Sequence, residues 1–289
     1  MSSSNQSGAT RPLDLIEALS VFSACYAVGG LILVSMLLEL PLSWWAVAAA
    51  FSITWFVYLL HRDRMVGRQR EEPSIRSRLI RRHARLVSTL LCISGVLALG
   101  TSMMISAWLP LLLPASVLGM LLYGRGLDGR RPRDMLVIKN ACVGMSMALF
   151  WFILVITPVV GEFEITPAFW SVAVAVSLLV LSDAMYCDLG DVATDARTLS
   201  RTAPIEWGAD GARWATDVCA VFVALLLVLS GPSGSPSPAI WFIVPLLLLL
   251  SQGMLRLVSM RRIRAAIDVR LLLLASSSAA LSLWFSSTT

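Results

Sequence analysis

The run WFILVITPVVGEFEITPAFWSVAVAVSLLVLSDAMYCDLGDVATDARTLSR, residues 151–201, contains the pattern from which the fold is read. An apolar segment ends in a turn holding Pro158, Gly161, Glu162, Glu164 and Pro167, with no lysine or arginine. A second apolar segment then runs to Cys187 and opens into aspartates and arginines. Each segment has about the 20 residues a helix needs to cross a hydrocarbon layer of about 30 Å. The pattern predicts two antiparallel membrane helices, joined on one side by a base-free loop and emerging on the other at a charged surface.

Working outward with the same ruler, apolar stretches occur at residues 15–38, 41–60, 86–107, 108–124, 135–157, 168–187, 214–231, 239–257 and 269–286, nine in all. The loops after the odd-numbered stretches contain Pro, Gly, Ser and a few acids but no lysine or arginine. Arg11, the nine arginines from Arg62 to Arg85, Arg125 to Lys139, Arg197 to Arg213 and Arg256 to Arg270 all fall on the opposite side, and these are all 23 basic residues. Basic residues are retained in the cytoplasm. The expected fold is therefore all-α and integral to the membrane: a nine-transmembrane-helix bundle with a cytoplasmic N-terminus and an external C-terminus. A missed span would have divided the arginines between the two faces.

Composition agrees. Of 289 residues 57% are hydrophobic and 14% charged, and mean hydropathy is +0.78, where soluble domains carry about 25% charged residues. This excludes a soluble enzyme or a disordered chain. The net charge of +5 does not signal nucleic acid, because the arginines sit at span ends. Cys25, Cys92, Cys142, Cys187 and Cys219 show no metal or CxxC spacing and read as reduced packing residues. Residues 1–13 read as a disordered tail and residues 14–289 as one membrane domain. The expectation is a multi-pass protein of a bacterial inner (plasma) membrane, with its active site facing the cytoplasm.

Acids at span ends are costly and point to function. In CDLGDVATD, residues 187–195, Asp188, Asp191 and Asp195 stand at i, i+3 and i+7, which predicts one carboxylate stripe along a helix. Such a stripe either binds a cation, with Mg²⁺ suiting hard oxygen ligands completed by phosphates, or is a solvated helix end neutralised by arginines. Asp183, deeper in the span, is either pocket lining or paired with a neighbouring helix.

The continuation DLGDVATDARTLSRTAPIEWG, from Asp188, resembles the second aspartate-rich motif of the UbiA superfamily of intramembrane prenyltransferases, roughly NDxxDxxxD followed by RTLPVxxG. Cys187 stands where the family has Asn. Asp188, Asp191 and Asp195 match the aspartates, Arg201 and Thr202 the RT pair, Pro204 and Ile205 the PV, and Gly208 the glycine. Upstream, LLYGRGLDGRRPRDMLVIKN resembles the segment between the family's helices four and five, with Tyr123, Arg131, Pro132 and Lys139 matching. The first motif departs from the family. In YLLHRDRMVGRQREEPSIRSR, residues 58–78, Asp63 is the only aspartate before Glu71 and Glu72, and His61 stands where Asn or Asp is usual. Either His61 and Asp63, with Glu71 or Glu72, still complete a metal site, or Arg62, Arg64 or Arg68 balances the diphosphate directly.

The resemblance implies Mg²⁺ on Asp188, Asp191 and Asp195, with Asp63 and His61 as further ligands, and a prenyl diphosphate neutralised by Lys139, Arg201, Arg76, Arg78 and Arg62. Tyr58, Tyr123, Asn140 and Tyr186, with Trp55, Phe56, Phe150 and Trp151, are candidates to line the prenyl pocket, since aromatic faces stabilise cations. His83 reads as an interfacial residue, and the run 261–270 as a topology determinant facing lipid headgroups. The implied activity is transfer of the prenyl group to a lipophilic acceptor. The alternatives are a terpene cyclase of the same superfamily and a non-catalytic membrane protein or transporter with the same fold.

Overall fold

The computed structural model describes residues 12–68, 75–125, 135–197, 200–231 and 238–288, and among them every regular element is helical. The α-helices are α1 (Pro12–Ala18), α2 (Val21–Leu37), α3 (Trp44–Arg68), α4 (Ile75–Arg82), α5 (Ala84–Met103), α6 (Leu112–Arg125), α7 (Leu136–Ile156), α8 (Pro167–Asp188), α9 (Val192–Arg197), α10 (Ala203–Ser230), α11 (Ile240–Leu255) and α12 (Ile263–Thr288). Six described helices, namely α3, α5, α7, α8, α10 and α12, are long and apolar enough to cross a membrane. The pair α1 and α2, bent by 64°, makes a seventh if it is one span. The fourth and eighth apolar stretches form the shorter helices Leu109–Tyr123 and Ile240–Leu255. Residues 1–11 of the expected tail lie outside the described residues.

The bend between α1 and α2 has a local cause. Ser20 adopts a left-handed φ of 61°, which ends α1 and leaves its last carbonyls without helical partners. Helix α3 supplies those partners: the Trp55 indole donates to the Leu19 carbonyl at 2.8 Å, and Arg62 donates to the carbonyls of Glu17 and Ala18.

The bundle closes on itself. Chain neighbours pack in sequence from α7 through α8, α10 and α11 to α12, and α12 then packs against α2, joining the last helix to the first. Two glycines make this closure possible. A Cβ on Gly29 would lie 2.4 Å from the Leu272 backbone nitrogen, and one on Gly30 would lie 2.1 Å from the Trp151 ring. In lipid, where water drives no helix association, such small-residue contacts give the close backbone approach that holds helices together.

Two expectations are corrected. The carboxylate stripe does not run along one helix: α8 stops at Asp188 and α9 starts at Val192. Between them the amides of Leu189, Gly190 and Asp191 donate to carbonyls three residues back, a tightened turn rather than a continuing α-helix. Nor is the run 261–270 a plain headgroup-facing segment. Arg270 is buried and donates to Asp183 at 2.7 Å, to Ser251 at 2.9 Å and to the Leu248 carbonyl at 3.4 Å, and Arg264 turns inward to Asp191. A guanidinium in the apolar interior costs too much unless paired, and Asp183, which also accepts from Tyr26 at 3.0 Å, provides the pair.

Candidate functional site

At the mouth of the bundle, α7 and the α8–α9 turn bring together the single lysine and the aspartates of the second motif. Helix α8 delivers Asp188 into a buried position because its last turn is still packed between α7 and α10. The Lys139 ammonium donates to one Asp188 oxygen at 2.5 Å and lies 3.9 Å from Asp195. The neighbouring Asn140, itself buried, donates its side-chain amide to the other Asp188 oxygen at 3.3 Å. Asp188 therefore has both oxygens engaged, and Asp195 reaches back to the same ammonium from α9. The turn at Gly190 makes this convergence possible where a straight helix would carry Asp195 past the lysine.

Asp191 faces elsewhere, accepting from Arg264 at the start of α12. The three aspartates, on the end of α8, the turn and α9, thus divide between partners on α7 and α12. Among the described residues no three His, Cys, Asp or Glu side chains form a ready-made metal cage. Asp188 and Asp195 nevertheless converge on one cation, the ammonium, and this all-oxygen donor set fits a divalent ion whose remaining positions are filled by phosphates and water.

The RT pair and the glycine have structural reasons. Thr202 is the buried residue before α10, and Pro204 sits in the first turn, where its missing N–H is no loss. Exposed Arg201 donates to Glu206 at 2.6 Å, and that hydrogen bond raises the Arg201 guanidinium above its ordinary range. Gly208 interrupts α10 with φ 74° and ψ 167°, a region essentially reserved for glycine. The chain therefore breaks direction at Gly208 before the long apolar part of α10.

The remaining sequence candidates are dispersed. His61 is half-buried and Asp63 exposed near the end of α3, and Arg62 is engaged with α1. Arg78 is exposed on α4; the side chains of Arg68 and Arg76, and Glu71, Glu72, Arg131 and Pro132, lie outside what is described. Trp151 belongs to the core, packed against Gly30 and with its ring centre 5.9 Å from that of Tyr26. Tyr186 is buried with its hydroxyl unpartnered, Tyr123 half-buried, and Tyr58 36% exposed.

Two residues escaped the sequence reading: Arg264, the partner of Asp191, and Asp268, which accepts from Ser23 at 3.1 Å. Their signal was present. Opposite charges four residues apart, at the head of an apolar span, mark an inward helix face.

A sequence model of the family described as "UbiA prenyltransferase family" matches residues 60–275. Among solved structures, an apo UbiA homolog from Aeropyrum pernix K1 superposes with a TM-score of 0.65 at 14% identity, over 91% of this chain and 98% of that one. A UbiA homolog from Archaeoglobus fulgidus bound to Cd²⁺ gives 0.55 at 13% identity, over 91% and 99%. A digeranylgeranylglyceryl phosphate synthase gives 0.52 at 13% identity, over 93% and 96%. At these identities the structural likeness is one of fold. No curated protein matches the chain.

Proposed function

Because the chain belongs to the UbiA prenyltransferase family, we propose that it is an intramembrane enzyme that ionises a prenyl diphosphate at the Lys139–Asp188–Asp195 cluster and passes the prenyl group to a lipophilic acceptor. The observation that carries this reading is the convergence of Asp188 and Asp195 on one ammonium at a buried site. A prenyl diphosphate is a multiply charged anion on an apolar tail, and it requires cations at a polar mouth above an apolar interior. Asp188 and Asp195, with Asp191 once it exchanges its Arg264 partner for the ion, would hold Mg²⁺, which when bound would supply positive charge to the diphosphate.

The chain's own residues do the rest. Lys139 offers up to three donors and stands beside the carboxylates, so it can turn from Asp188 to a phosphate oxygen with little movement. Asn140 holds Asp188 in place while that happens. Arg201, Arg78 and Arg76 balance the charge of the anion as it arrives. The first motif retains one certain carboxylate, Asp63, among several arginines, so guanidinium pairing takes a larger share of the diphosphate there.

The test is to incubate purified protein with geranyl, farnesyl and geranylgeranyl diphosphates, with and without a membrane lipid extract, in Mg²⁺ or in EDTA. Mass spectrometry of the organic phase should find prenylated product only with extract and metal. A hydrocarbon or terpene alcohol formed without any acceptor would make the protein a cyclase of the same superfamily. No consumption of any diphosphate under either condition would refute the enzyme reading.

A further inference from the structure

The reaction proposed above leaves one requirement unmet by the aspartate cluster: an acceptor that gains a prenyl group must lose a proton, and Asp188, Asp191 and Asp195 all face cations. The structure offers one carboxylate elsewhere that is placed for this step. Asp268 sits on α12 four residues, about 6 Å, deeper than Arg264 and on the same helix face. Arg264 reaches Asp191, and Leu272, four residues further down, lines an open apolar groove of about 450 Å³ between α2, α3, α5 and α12. The stripe Arg264, Asp268, Leu272 therefore runs from the diphosphate end of the site to the apolar groove, with Asp268 at the junction.

The surroundings of Asp268 support this position. Ser23 of α2 donates to it at 3.1 Å, and Cys25 and Val28, further along the same helix, line the groove. Tyr58 of α3 and Cys187 of α8 lie within electrostatic reach of Asp268, and all three side chains keep accessible surface. The charged groups within electrostatic reach are Arg264, Arg62 and Glu17. Arg264 is committed to Asp191, and Arg62 to the end of α1.

We propose that Asp268 is the proton acceptor of the transfer step; the proposal rests on the prenyltransferase reading. As the prenyl C1–O bond breaks, its electron pair leaves on the diphosphate, and C1 bonds to a hydroxyl oxygen or ring carbon of the acceptor through that atom's own pair. The acceptor's O–H or C–H proton passes to an Asp268 oxygen, and the bonding pair stays with the acceptor. The Ser23 hydroxyl orients the carboxylate. The acceptor class that fits is a lipophilic alcohol or phenol, entering by the apolar groove and presenting its proton at the junction.

The experiment compares wild type, Asp268→Asn, Asp268→Glu and Asp188→Ala, following diphosphate release and prenylated product separately. In Asp268→Asn, kcat for product should fall at least about 100-fold with KM for the prenyl diphosphate unchanged, as expected for loss of a general base. The acid limb of the wild-type pH profile should disappear with it, and Asp268→Glu should recover part of the rate. Wild-type product formation by Asp268→Asn overturns the proposal, as does a matched loss of prenyl diphosphate binding and turnover. Failure of Asp268→Glu to recover any rate, with both variants folded, also overturns it. If wild type consumes no prenyl diphosphate, the enzyme reading falls first and this one with it; if wild type is active and indifferent to Asp188, only the assignment of the diphosphate end fails.

Discussion

At Asp188 one carboxylate carries both a charge and a position. It is buried, and both its oxygens are taken by α7, one by Lys139 and one by Asn140. Asp188→Ala should lower turnover at least about 100-fold, since it removes a preorganised charge from the reacting centre. The protein should still fold, because Lys139 retains Asp195 nearby; a steady-state assay beside a detergent gel-filtration profile checks both halves. Deeper in the bundle, Asp183 and Arg270 form a pair with a different character, held by Tyr26 and Ser251 and far from any free surface. Arg270→Met alone strands the aspartate and should cost about 3–5 kcal/mol, whereas Asp183→Leu with Arg270→Met should recover most of that loss. Unfolding in mixed micelles measures it, and additive losses in the double variant would mean that the pair is not coupled. The aspartates of the second motif were legible in the sequence because their spacing is fixed. The inward arginines were not, since Arg264 and Arg270 look like span-end arginines until the packing of α12 turns them to Asp191 and Asp183.

At the scale of elements, the breaks matter more than the helices. Continuous helical spacing predicts one stripe for Asp188, Asp191 and Asp195, and the tightened turn at residues 189–191 replaces it with a corner that faces α7 on one side and α12 on the other. Periodicity cannot show this, because residue spacing does not mark where the backbone hydrogen bonds change from four residues back to three. The break in α10 could be anticipated better, since a glycine placed after RTAPIEW has no helical reason to be there. Its φ of 74° excludes a side chain without strain, so Gly208→Ala should cost about 1–3 kcal/mol. It should also lower turnover by displacing the Arg201–Glu206 pair. Nothing stands within 4 Å of where the new Cβ would lie, so strain rather than collision is the cause. A Gly208→Ala variant as stable and active as wild type would show that the segment straightens freely.

Over the whole molecule, two independent regularities constrain how the chain lies in the membrane. One is the partition of basic residues, which places all 23 on alternate connections. The other is ring closure, because α12 packs against α2 and brings the first and last spans side by side. Among the described residues, six of the nine apolar stretches form single helices long enough to cross, and one more forms the bent pair. The units formed by Leu109–Tyr123 and Ile240–Leu255 fall short of that length. Together they decide the parity, because removing either one would place the loops that follow it, with their arginines, on the opposite side. A short helix can still cross if the bilayer thins locally or if neighbours supply its polar ends, at a modest cost per Å of mismatch, whereas exporting a cluster of arginines opposes the retention that orients membrane proteins. The arginine term outweighs the mismatch term, so both short helices should cross. The N-terminus should then be cytoplasmic and the C-terminus external. Cysteine introduced at Thr289 should react with an impermeant maleimide in intact cells, and cysteine introduced at Ser3 should react only after lysis. Labelling of both sites in intact cells, or of neither, would mean that one short helix turns back within the membrane. The site would still lie on the arginine-rich side, but the chain would reach it by a different path.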